Sequence, residues 1–239
     1  MFEKPDCYSR RKTTLEFNNF TFFRQKIVSL IDETEEYELL LRYQSGDDCY
    51  FPEKMLNDIV SDHKKHQLYI TKVGSMLEHL FAHGTCIYSI NLDYQELYFE
   101  ETLAFFEKFN YKHRLKIELT ERLPANHKYN ESFLPVAQIK KLKEMGYVIT
   151  LDDFLSGINQ YKTLFLLANE IDRVKISALH FKHVLSVKEL QSFLLSVGNT
   201  ISFLNKQIVV EGVEDKKLLA ELPNEWLRQT YYYSKPCKI

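Results

Sequence analysis

The sequence predicts an α/β fold, a single-domain (β/α)8 barrel of the TIM type, and three observations lead to this prediction. Apolar stretches typical of strands recur along the 239 residues. The later strands are separated by amphipathic stretches with helical spacing, which favours right-handed crossovers and a parallel sheet. About eight such units in a chain of this length favour a closed barrel over an open doubly wound sheet.

The strand prediction rests on short runs that are rich in β-branched, aromatic and aliphatic residues. These runs cover residues 20–30, 37–43, 86–92, 115–119, 147–151, 171–176, 207–210 and 230–233. The first two are joined by the acidic stretch 32–36, which predicts a turn. The others alternate with helices, as expected for a barrel.

The helix prediction rests on apolar residues that recur at i, i+3 and i+4. The predicted helices cover residues 52–81, 100–109, 132–145, 161–168, 187–204 and 216–222. Gly146 follows one of them and is typical of a helix C-terminus. Residues 1–15 are polar and basic, which predicts an N-terminal lead-in to a domain of residues 16–239.

Composition excludes several classes of protein. The apolar fraction of 45% and the charged fraction of 27% are ordinary for a globular protein. A formal net charge of −2 gives no basic field for a DNA or RNA polymer. No apolar run approaches the ~18–20 residues of a membrane span, and the first residues do not resemble a signal peptide. We therefore expect a cytoplasmic protein without a membrane segment, whose four cysteines are reduced thiols.

Common catalytic and nucleotide-binding motifs are missing from the sequence. There is no GxGxxG or GxxxxGK[ST] loop, and no GxSxG nucleophile elbow. Two histidine pairs, His63 with His66 and His180 with His183, have the i, i+3 spacing of metal ligands on a helix. Because no third ligand accompanies either pair, we interpret them as solvated helical faces.

Polar residues recur at the carboxyl ends of the predicted strands, where the chemistry of such a barrel gathers. They are one amide, five carboxylates and one lysine: Asn91, Glu118, Glu121, Asp152, Asp153, Lys175 and Glu211. A single acidic residue at a strand end is more typical of a helix N-cap. The recurrence of such residues strand after strand instead indicates a hard-cation site with oxygen ligands. Two divalent ions about 3.5–4 Å apart would suit phosphodiester hydrolysis.

These residues lie in motifs that resemble the EAL-domain family of cyclic di-GMP phosphodiesterases, in the form of a stand-alone EAL domain. Glu38-Leu39-Leu40 is similar to the Glu-Ala-Leu signature, with Arg42 two residues further on. The other matching motifs are Asn91-Leu92, Glu118-Leu119-Thr120-Glu121, Asp152-Asp153-Phe154, Lys175-Ile176, Glu211-Gly212-Val213-Glu214 and a terminal run from Gln229 to Pro236. The resemblance extends from about Phe20 to Pro236.

The resemblance implies hydrolysis of cyclic di-GMP to linear 5′-pGpG with Mg²⁺ or Mn²⁺ as cofactor, two ions in all. The implied metal ligands are Glu38, Asn91, Glu118 and Asp152 for one ion, with Asp153 holding or bridging to a second. Lys175 and Glu211 would orient and activate the attacking water, and Glu121 would anchor the loop after the Asp-Asp strand. The implied substrate-binding residues are Arg42, Leu40 and Gln229. The resemblance also implies a homodimer formed through that loop and its neighbouring helices.

The sequence departs from the family pattern at three places. The family loop after Asp-Asp-Phe reads Gly-Thr-Gly-x-Ser-Ser, whereas this chain has Leu155 at the first glycine, where glycine permits backbone geometries that leucine resists. Ser177 replaces a carboxylate, and Thr230 replaces a glycine. Two alternatives to the phosphodiesterase therefore stay open. One is a catalytically weak cyclic di-GMP receptor or protein-binding module, and the other is a barrel phosphohydrolase that acts on another ester.

Overall fold

The structure is a computed structural model that describes residues 17–122 and 133–239. The predicted lead-in of residues 1–15 lies outside the described residues, as does Ser132 at the start of the predicted helix 132–145. No helix within the two described ranges combines the length and the apolar character needed to cross a membrane.

A curled sheet forms the centre of the molecule. Its strands are β1 Phe20–Ile27, β2 Glu36–Ser45, β3 Asp48–Tyr50, β4 Ile87–Leu92, β5 Leu115–Leu119, β6 Val148–Leu151, β7 Arg173–Ser177, β8 Gln207–Glu211, β9 Leu227–Gln229 and β10 Cys237–Lys238. The strands follow the order β10-β1-β2-β4-β5-β6-β7-β8-β9, and β3 forms a hairpin with β2. Pairing is parallel from β2 through β4 to β9.

The first strand departs from the parallel arrangement, as do the short strands β3 and β10. β1 pairs antiparallel with β2, and a β-bridge between Val28 and Arg228 joins it to β9 at the other edge of the sheet. The predicted TIM-like single domain is thus confirmed as a mixed, parallel-rich sheet. The direction of β1 follows from its short link to β2, because a tight turn can join only antiparallel strands, whereas a parallel pair needs a long crossover.

Helices connect the parallel strands. They are α1 Glu53–Ile59, α2 His63–Ala82, α3 Glu100–Lys108, α4 Val136–Glu144, α5 Tyr161–Leu166, α6 Val187–Phe203 and α7 Lys216–Glu221. The prediction of one helix over 52–81 is wrong, because the first helix ends at Ile59 and a second one begins after Asp62. The Asp62 carboxylate accepts a 3.0 Å hydrogen bond from the Lys65 backbone N–H, which makes it the N-cap of α2.

Two predicted strand boundaries are also wrong. Glu36, placed in the turn, is the first residue of β2. The last barrel strand is Leu227–Gln229, and the predicted strand 230–233 is a turn whose three tyrosines are exposed. The high β propensity of the consecutive tyrosines explains the wrong prediction. The last barrel strand instead ends at Gln229, whose side chain faces inward.

Side chains alternate between the inside and the outside of the barrel, as the pleat requires. Outward residues such as Leu39, Ile117 and Val174 are buried beneath the helices and form the main apolar core. A small apolar cluster of Ile27, Val209 and Leu227 stands apart from that core. The interior otherwise contains polar and charged groups, which are described next.

Candidate active site

Inward-facing residues of neighbouring strands lie level with one another near the carboxyl end of the barrel. Asn91 on β4 is paired in register with Glu118 on β5, and Glu211 on β8 is paired with Gln229 on β9. Asp152 follows β6 directly, and its backbone N–H bonds to the Leu119 carbonyl at the end of β5. The parallel register therefore brings side chains that are far apart in sequence to one mouth of the barrel.

Lys175 on β7 lies at the centre of this group and is almost fully buried. Its Nζ lies 2.6 Å from Glu118 Oε2, 2.7 Å from Glu211 Oε1, 2.9 Å from Asp152 Oδ1 and 3.1 Å from Glu38 Oε2. Burial lowers the pKa of Lys175, but the four carboxylates outweigh that effect and raise the pKa well above its ordinary value. Lys175 is therefore a fixed positive charge among four carboxylates.

The carboxylates around Lys175 differ in their protonation behaviour. Burial raises the pKa of Glu118 and that of Asp152, and it raises the pKa of Glu211 to about 8, even though Lys175 acts in the opposite direction. Burial also acts to raise the pKa of Glu38, but Lys175 and the bonds from Gln229 and Asn91 outweigh it and hold that pKa below its ordinary value. One ammonium is too little positive charge for this many buried carboxylates.

Glu38 has two amide partners in addition to Lys175. Asn91 Nδ2 donates a 2.6 Å hydrogen bond to Glu38 Oε1, and Gln229 Nε2 donates one to Glu38 Oε2. Both amide nitrogens therefore point at the carboxylate. The amide oxygens Asn91 Oδ1 and Gln229 Oε1 are buried and have no hydrogen-bond partner among the residues that the structure describes.

The excess of buried oxygen acceptors over donors fits divalent cations. Within the described ranges, Asp152 Oδ1 and Glu211 Oε1 have only Lys175 as an ion-pair partner, and its three N–H donors cannot serve four carboxylates at once. Together with Asn91 Oδ1, these buried acceptors converge on the mouth. Buried oxygen acceptors that outnumber their donors are the chemistry that Mg²⁺ and Mn²⁺ satisfy, so the residues present fit the implied ions.

Asp153 stands at the outer edge of the group. Its backbone has a φ of 42°, in the left-handed region that aspartate tolerates better than most residues. Ligand oxygens of Asp152, Asp153 and Glu211 lie within 4.8 Å of one another. These three carboxylates are a candidate position for one cation.

The loop after Asp153 is held by Glu121, which follows β5. The Glu121 carbonyl accepts a 2.9 Å bond from the Ile158 backbone N–H, and a Cβ on Gly157 would lie 1.9 Å from that carbonyl oxygen. Glu121 thus contacts the loop through its backbone, at a point where only glycine fits. Burial, reinforced by Asp153, raises the pKa of the Glu121 carboxyl.

Leu155 shows how this loop accommodates the loss of a glycine. Its φ is 73°, the left-handed region that leucine adopts only at a cost. Its backbone N–H nevertheless donates a 2.8 Å bond to the Asn159 carbonyl, which closes the loop. The chain therefore keeps a glycine-type geometry with a leucine in place.

Two cavities open beside the charged group. One, of about 240 Å³, is lined by Arg42, Leu40, Asn91 and Asp152 and continues between the sheet and its covering helices. The other, of about 370 Å³, is lined by Glu211 and Gln229 together with Tyr231. The predicted substrate-binding residues Arg42, Leu40 and Gln229 therefore border space next to the carboxylates.

Sequence reasoning missed several residues that support the site. Ser89 donates a 2.5 Å hydrogen bond to Glu118 Oε1, and the buried Asn159 bonds to the carbonyls of Leu119 and Asp152. The two-residue alternation that makes Asn91 face inward could have identified Ser89. Nothing in the local sequence marks Asn159, because its partners come from other strands.

The interpretation of the histidine pairs as solvated helical faces is wrong for one of the four residues, His66, whereas His180 is exposed but has a carboxylate partner. His66 is fully buried, stacked on Phe99 with ring centroids 3.9 Å apart, and its Nδ1 lies 3.0 Å from Glu101. His180 lies in a short 3₁₀ turn after β7, where its Nε2 is 3.4 Å from Asp153 Oδ2. Both partners come from distant parts of the sequence, so spacing alone could not reveal them.

The profile of the EAL domain matches residues 9–224 of the sequence. The chain belongs to the EAL domain family. A curated relative of this EAL chain, "Probable cyclic di-GMP phosphodiesterase PdeG" of Escherichia coli (strain K12), is 35% identical over 140 residues, which are 57% of this chain and 26% of the relative. The chain thus spans about a quarter of the length of that relative.

Solved EAL structures share the fold. The FimX EAL domain from Pseudomonas aeruginosa bound to c-di-GMP superposes with a TM-score of 0.73 at 20% identity, covering 97% of this chain and 96% of that one. The manganese and cy-diGMP complex of Klebsiella pneumoniae BlrP1 gives 0.67 at 21% identity, covering 92% of this chain and 56% of the other. At these identities the likeness shows the common EAL barrel.

Proposed function

We propose that this EAL domain hydrolyses cyclic di-GMP to linear 5′-pGpG in a metal-dependent reaction. The observation that carries the proposal is the convergence of Glu38, Glu118, Asp152 and Glu211 on the buried Lys175. A site with this many carboxylates is costly to bury unless it serves a cation. Membership of a family whose curated relative is named as a probable cyclic di-GMP phosphodiesterase supports the choice of substrate.

The proposed metal ligands are the oxygen-bearing groups of the mouth. Glu38, Asn91, Glu118 and Asp152 would hold one Mg²⁺ or Mn²⁺, and Asp153 would hold or bridge to a second ion. The buried Asn91 Oδ1, which has no hydrogen-bond partner among the described residues, and Asp152 Oδ1, which has only the ion pair with Lys175, support this assignment. Bound ions of this kind make a coordinated water acidic and offset negative charge on a phosphate.

Lys175 and Glu211 would act on the attacking water. Lys175 keeps its positive charge among the carboxylates, so it can donate a hydrogen bond to water and fix its orientation. Burial raises the pKa of Glu211 to about 8, close to neutral pH, and a group with such a pKa is suited in its deprotonated form to accept a proton from the water. The 2.7 Å contact between Lys175 and Glu211 keeps the two groups in register with each other.

Substrate would lie in the cavity beside the carboxylates. Arg42 lines it and would hold a phosphate through its planar guanidinium, while Leu40 would contact the nucleotide. Gln229, which already donates to Glu38, would support a water or the phosphate near the ions. Glu121 would keep the loop after Asp153 in place.

The experiment that tests this function is incubation of the purified protein with cyclic di-GMP and Mn²⁺ or Mg²⁺, with products followed by chromatography. Formation of pGpG that Glu38→Ala abolishes is the expected result. Glu33→Ala, at an exposed position five residues before Glu38, is the matched control and should retain wild-type activity. No pGpG at high enzyme concentration would contradict the proposal, as would full activity in Glu38→Ala.

A second candidate function is a catalytically weak receptor for cyclic di-GMP or a protein-binding module. The observation that favours it is the strained Leu155 in the loop next to Asp153, where flexibility could govern turnover. Tight binding of cyclic di-GMP measured by calorimetry, with no product after prolonged incubation, would support this function. Rapid hydrolysis would rule it out.

We also propose that the protein is cytoplasmic. We further propose that it forms a homodimer through the loop after β6 and the neighbouring helix α5. Phe165 and Leu166 on α5 are about half exposed, and exposed apolar side chains next to one another are typical of an interface. Sedimentation of the wild type should give a dimer, and Phe165→Ser should shift it toward monomer. A wild-type monomer at micromolar concentration would contradict this assembly.

A further inference from the structure

The residue that extends the site beyond the family motifs is His180. It follows β7 in a 3₁₀ turn spanning Ala178–His180, and its imidazole is about half exposed at the barrel mouth. Its Nε2 lies 3.4 Å from Asp153 Oδ2. No motif that indicates the carboxylate site includes this histidine, and the function proposed above leaves it unused.

The backbone explains why these two side chains meet. The Phe154 N–H, directly after Asp153, donates a 2.8 Å hydrogen bond to the Lys175 carbonyl on β7. The loop after β6 is therefore fastened to β7, and the chain that leaves β7 passes beside it. The same loop is fastened to the end of β5, because the Ile158 N–H donates a 2.9 Å hydrogen bond to the Glu121 carbonyl. Three successive strand ends thus contribute Glu121, Asp153 and His180 to one edge of the site.

The separation of the two atoms suits a shared cation. Two ligands at right angles on one ion, each bonded at about 2.1 Å, lie about 3.0 Å apart. The distance of 3.4 Å between His180 Nε2 and Asp153 Oδ2 is close to that value. On the other side, Asp153 lies with Asp152 and Glu211 within the span of one coordination sphere, and the buried oxygens of Asp152 and Glu211 share the single ammonium of Lys175 with two further carboxylates.

We propose that His180 is a nitrogen ligand of the second divalent ion, which it would bind together with Asp153. The inference rests on the proposed function, because it assigns a ligand to an ion of that same site. A neutral imidazole changes the preference of a carboxylate site, since Mg²⁺ and Ca²⁺ favour oxygen ligands whereas transition metals accept nitrogen readily. The second position would therefore prefer Mn²⁺ to Mg²⁺.

Pulsed electron paramagnetic resonance of the full chain loaded with Mn²⁺ alone, without nucleotide, tests the assignment. The wild type should show ¹⁴N modulation from a coordinated imidazole, and His180→Gln should lose it. His180→Gln should also weaken Mn²⁺ binding at one site by about 10–100-fold, the range for losing a supporting partner of a metal site. His183→Gln, which removes an exposed histidine three residues away, is the matched control and should keep both signals.

A further variant separates a ligand from a simple ion-pair partner. His180→Asp supplies an oxygen in place of nitrogen, so it should restore Mn²⁺ and Mg²⁺ binding without the ¹⁴N signal. Manganese bound by the wild type with no ¹⁴N modulation would overturn the assignment of His180 and leave the carboxylate site standing. A wild type that binds no Mn²⁺ at all would overturn both this assignment and the metal-dependent function.

Discussion

The Tyr94 hydroxyl donates a 2.7 Å hydrogen bond to Asn159 Oδ1, and both side chains are buried. Tyr94 belongs to the 3₁₀ turn after β4, and Asn159 to the loop after β6, so the bond joins two strand ends. Asn159 Nδ2 donates in turn to the carbonyls of Leu119 and Asp152. A side chain outside the carboxylate cluster thereby fixes the backbone of a proposed metal ligand.

Removal of the Tyr94 hydroxyl should weaken this connection. Tyr94→Phe leaves Asn159 Oδ1 buried without a donor, which costs about 1–3 kcal/mol of unfolding free energy. We expect a loss in that range by urea denaturation, and lower turnover because Asp152 is less firmly held. Tyr98→Phe, on the same turn, removes an exposed hydroxyl that bonds to the Phe133 carbonyl and should cost less than half as much. Equal losses in the two variants would contradict the special role of Asn159.

Leu155 offers a test of backbone strain in the loop. Leu155→Ala and Leu155→Gly remove nearly the same packing, but only glycine adopts a φ of 73° without cost. We expect the glycine variant to be more stable than the alanine variant by about 1–2 kcal/mol in urea denaturation, the reverse of their usual order. The same pair at Ser156, which has no positive φ, should show the usual order, with alanine the more stable. Alanine exceeding glycine at position 155 would show that the strain is absent.

Alanine substitutions at Gly157 and Gly146 distinguish backbone strain from steric clash. Both have positive φ, at 45° and 94°, but a Cβ at Gly157 would meet the Glu121 carbonyl at 1.9 Å, whereas one at Gly146 meets nothing within 4 Å. Gly146→Ala should cost only the strain of the left-handed region, about 1–2 kcal/mol, and leave activity intact. Gly157→Ala should cost more in a thermal melt and reduce turnover, because the loop must move away from β5. Activity unchanged in Gly157→Ala would argue against a role for the Glu121 contact.

Glu36, at the opposite end of the barrel, should make the stability of the folded protein depend on pH. It is buried, and its carboxylate accepts hydrogen bonds from both terminal nitrogens of the Arg173 guanidinium and a 2.7 Å hydrogen bond from Lys116. Burial raises the pKa of Glu36, but Arg173 and Lys116 outweigh it and hold the pKa below the ordinary value of 4.5. Its contribution to stability is therefore complete above that ordinary value and is lost as the pH falls through the lower pKa of the folded state.

The measurement for Glu36 is urea denaturation of the wild type and Glu36→Gln between pH 7 and pH 3.5. At neutral pH the variant leaves Arg173 buried without its carboxylate, which costs about 3–5 kcal/mol. The difference between the two proteins should shrink toward the acid end, because the wild type also loses the charge there. Glu33→Gln, exposed and close in sequence, should track the wild type throughout. A difference that stays constant with pH would contradict the ion-pair account.

The barrel and the carboxylates of its mouth were predictable from the sequence because both depend on short-range patterns. Strand–helix alternation predicted the parallel strands, and the recurrence of Asp152, Glu211 and similar residues at strand ends predicted their convergence. The direction of β1 depends on the hairpin that joins it to β2. The true last strand, Leu227–Gln229, carries a weak signal because it is only three residues long. The support from Asn159 and the position of His180 depend on contacts between separate loops, which no local pattern encodes.

The charged interior of the barrel has a consequence for strand pairing. Glu36 and Glu38 on β2 face Arg173 and Lys175 on β7, two levels of opposite charge along one axis. A slip of β2 by one residue would turn both carboxylates into the apolar layer beneath the helices and leave two buried cations without partners. Such an alternative register is unfavourable, because its charged groups would be buried away from water without partners. The ionic groups of the interior therefore select a single alignment of the strands, whatever they contribute to the net free energy of folding.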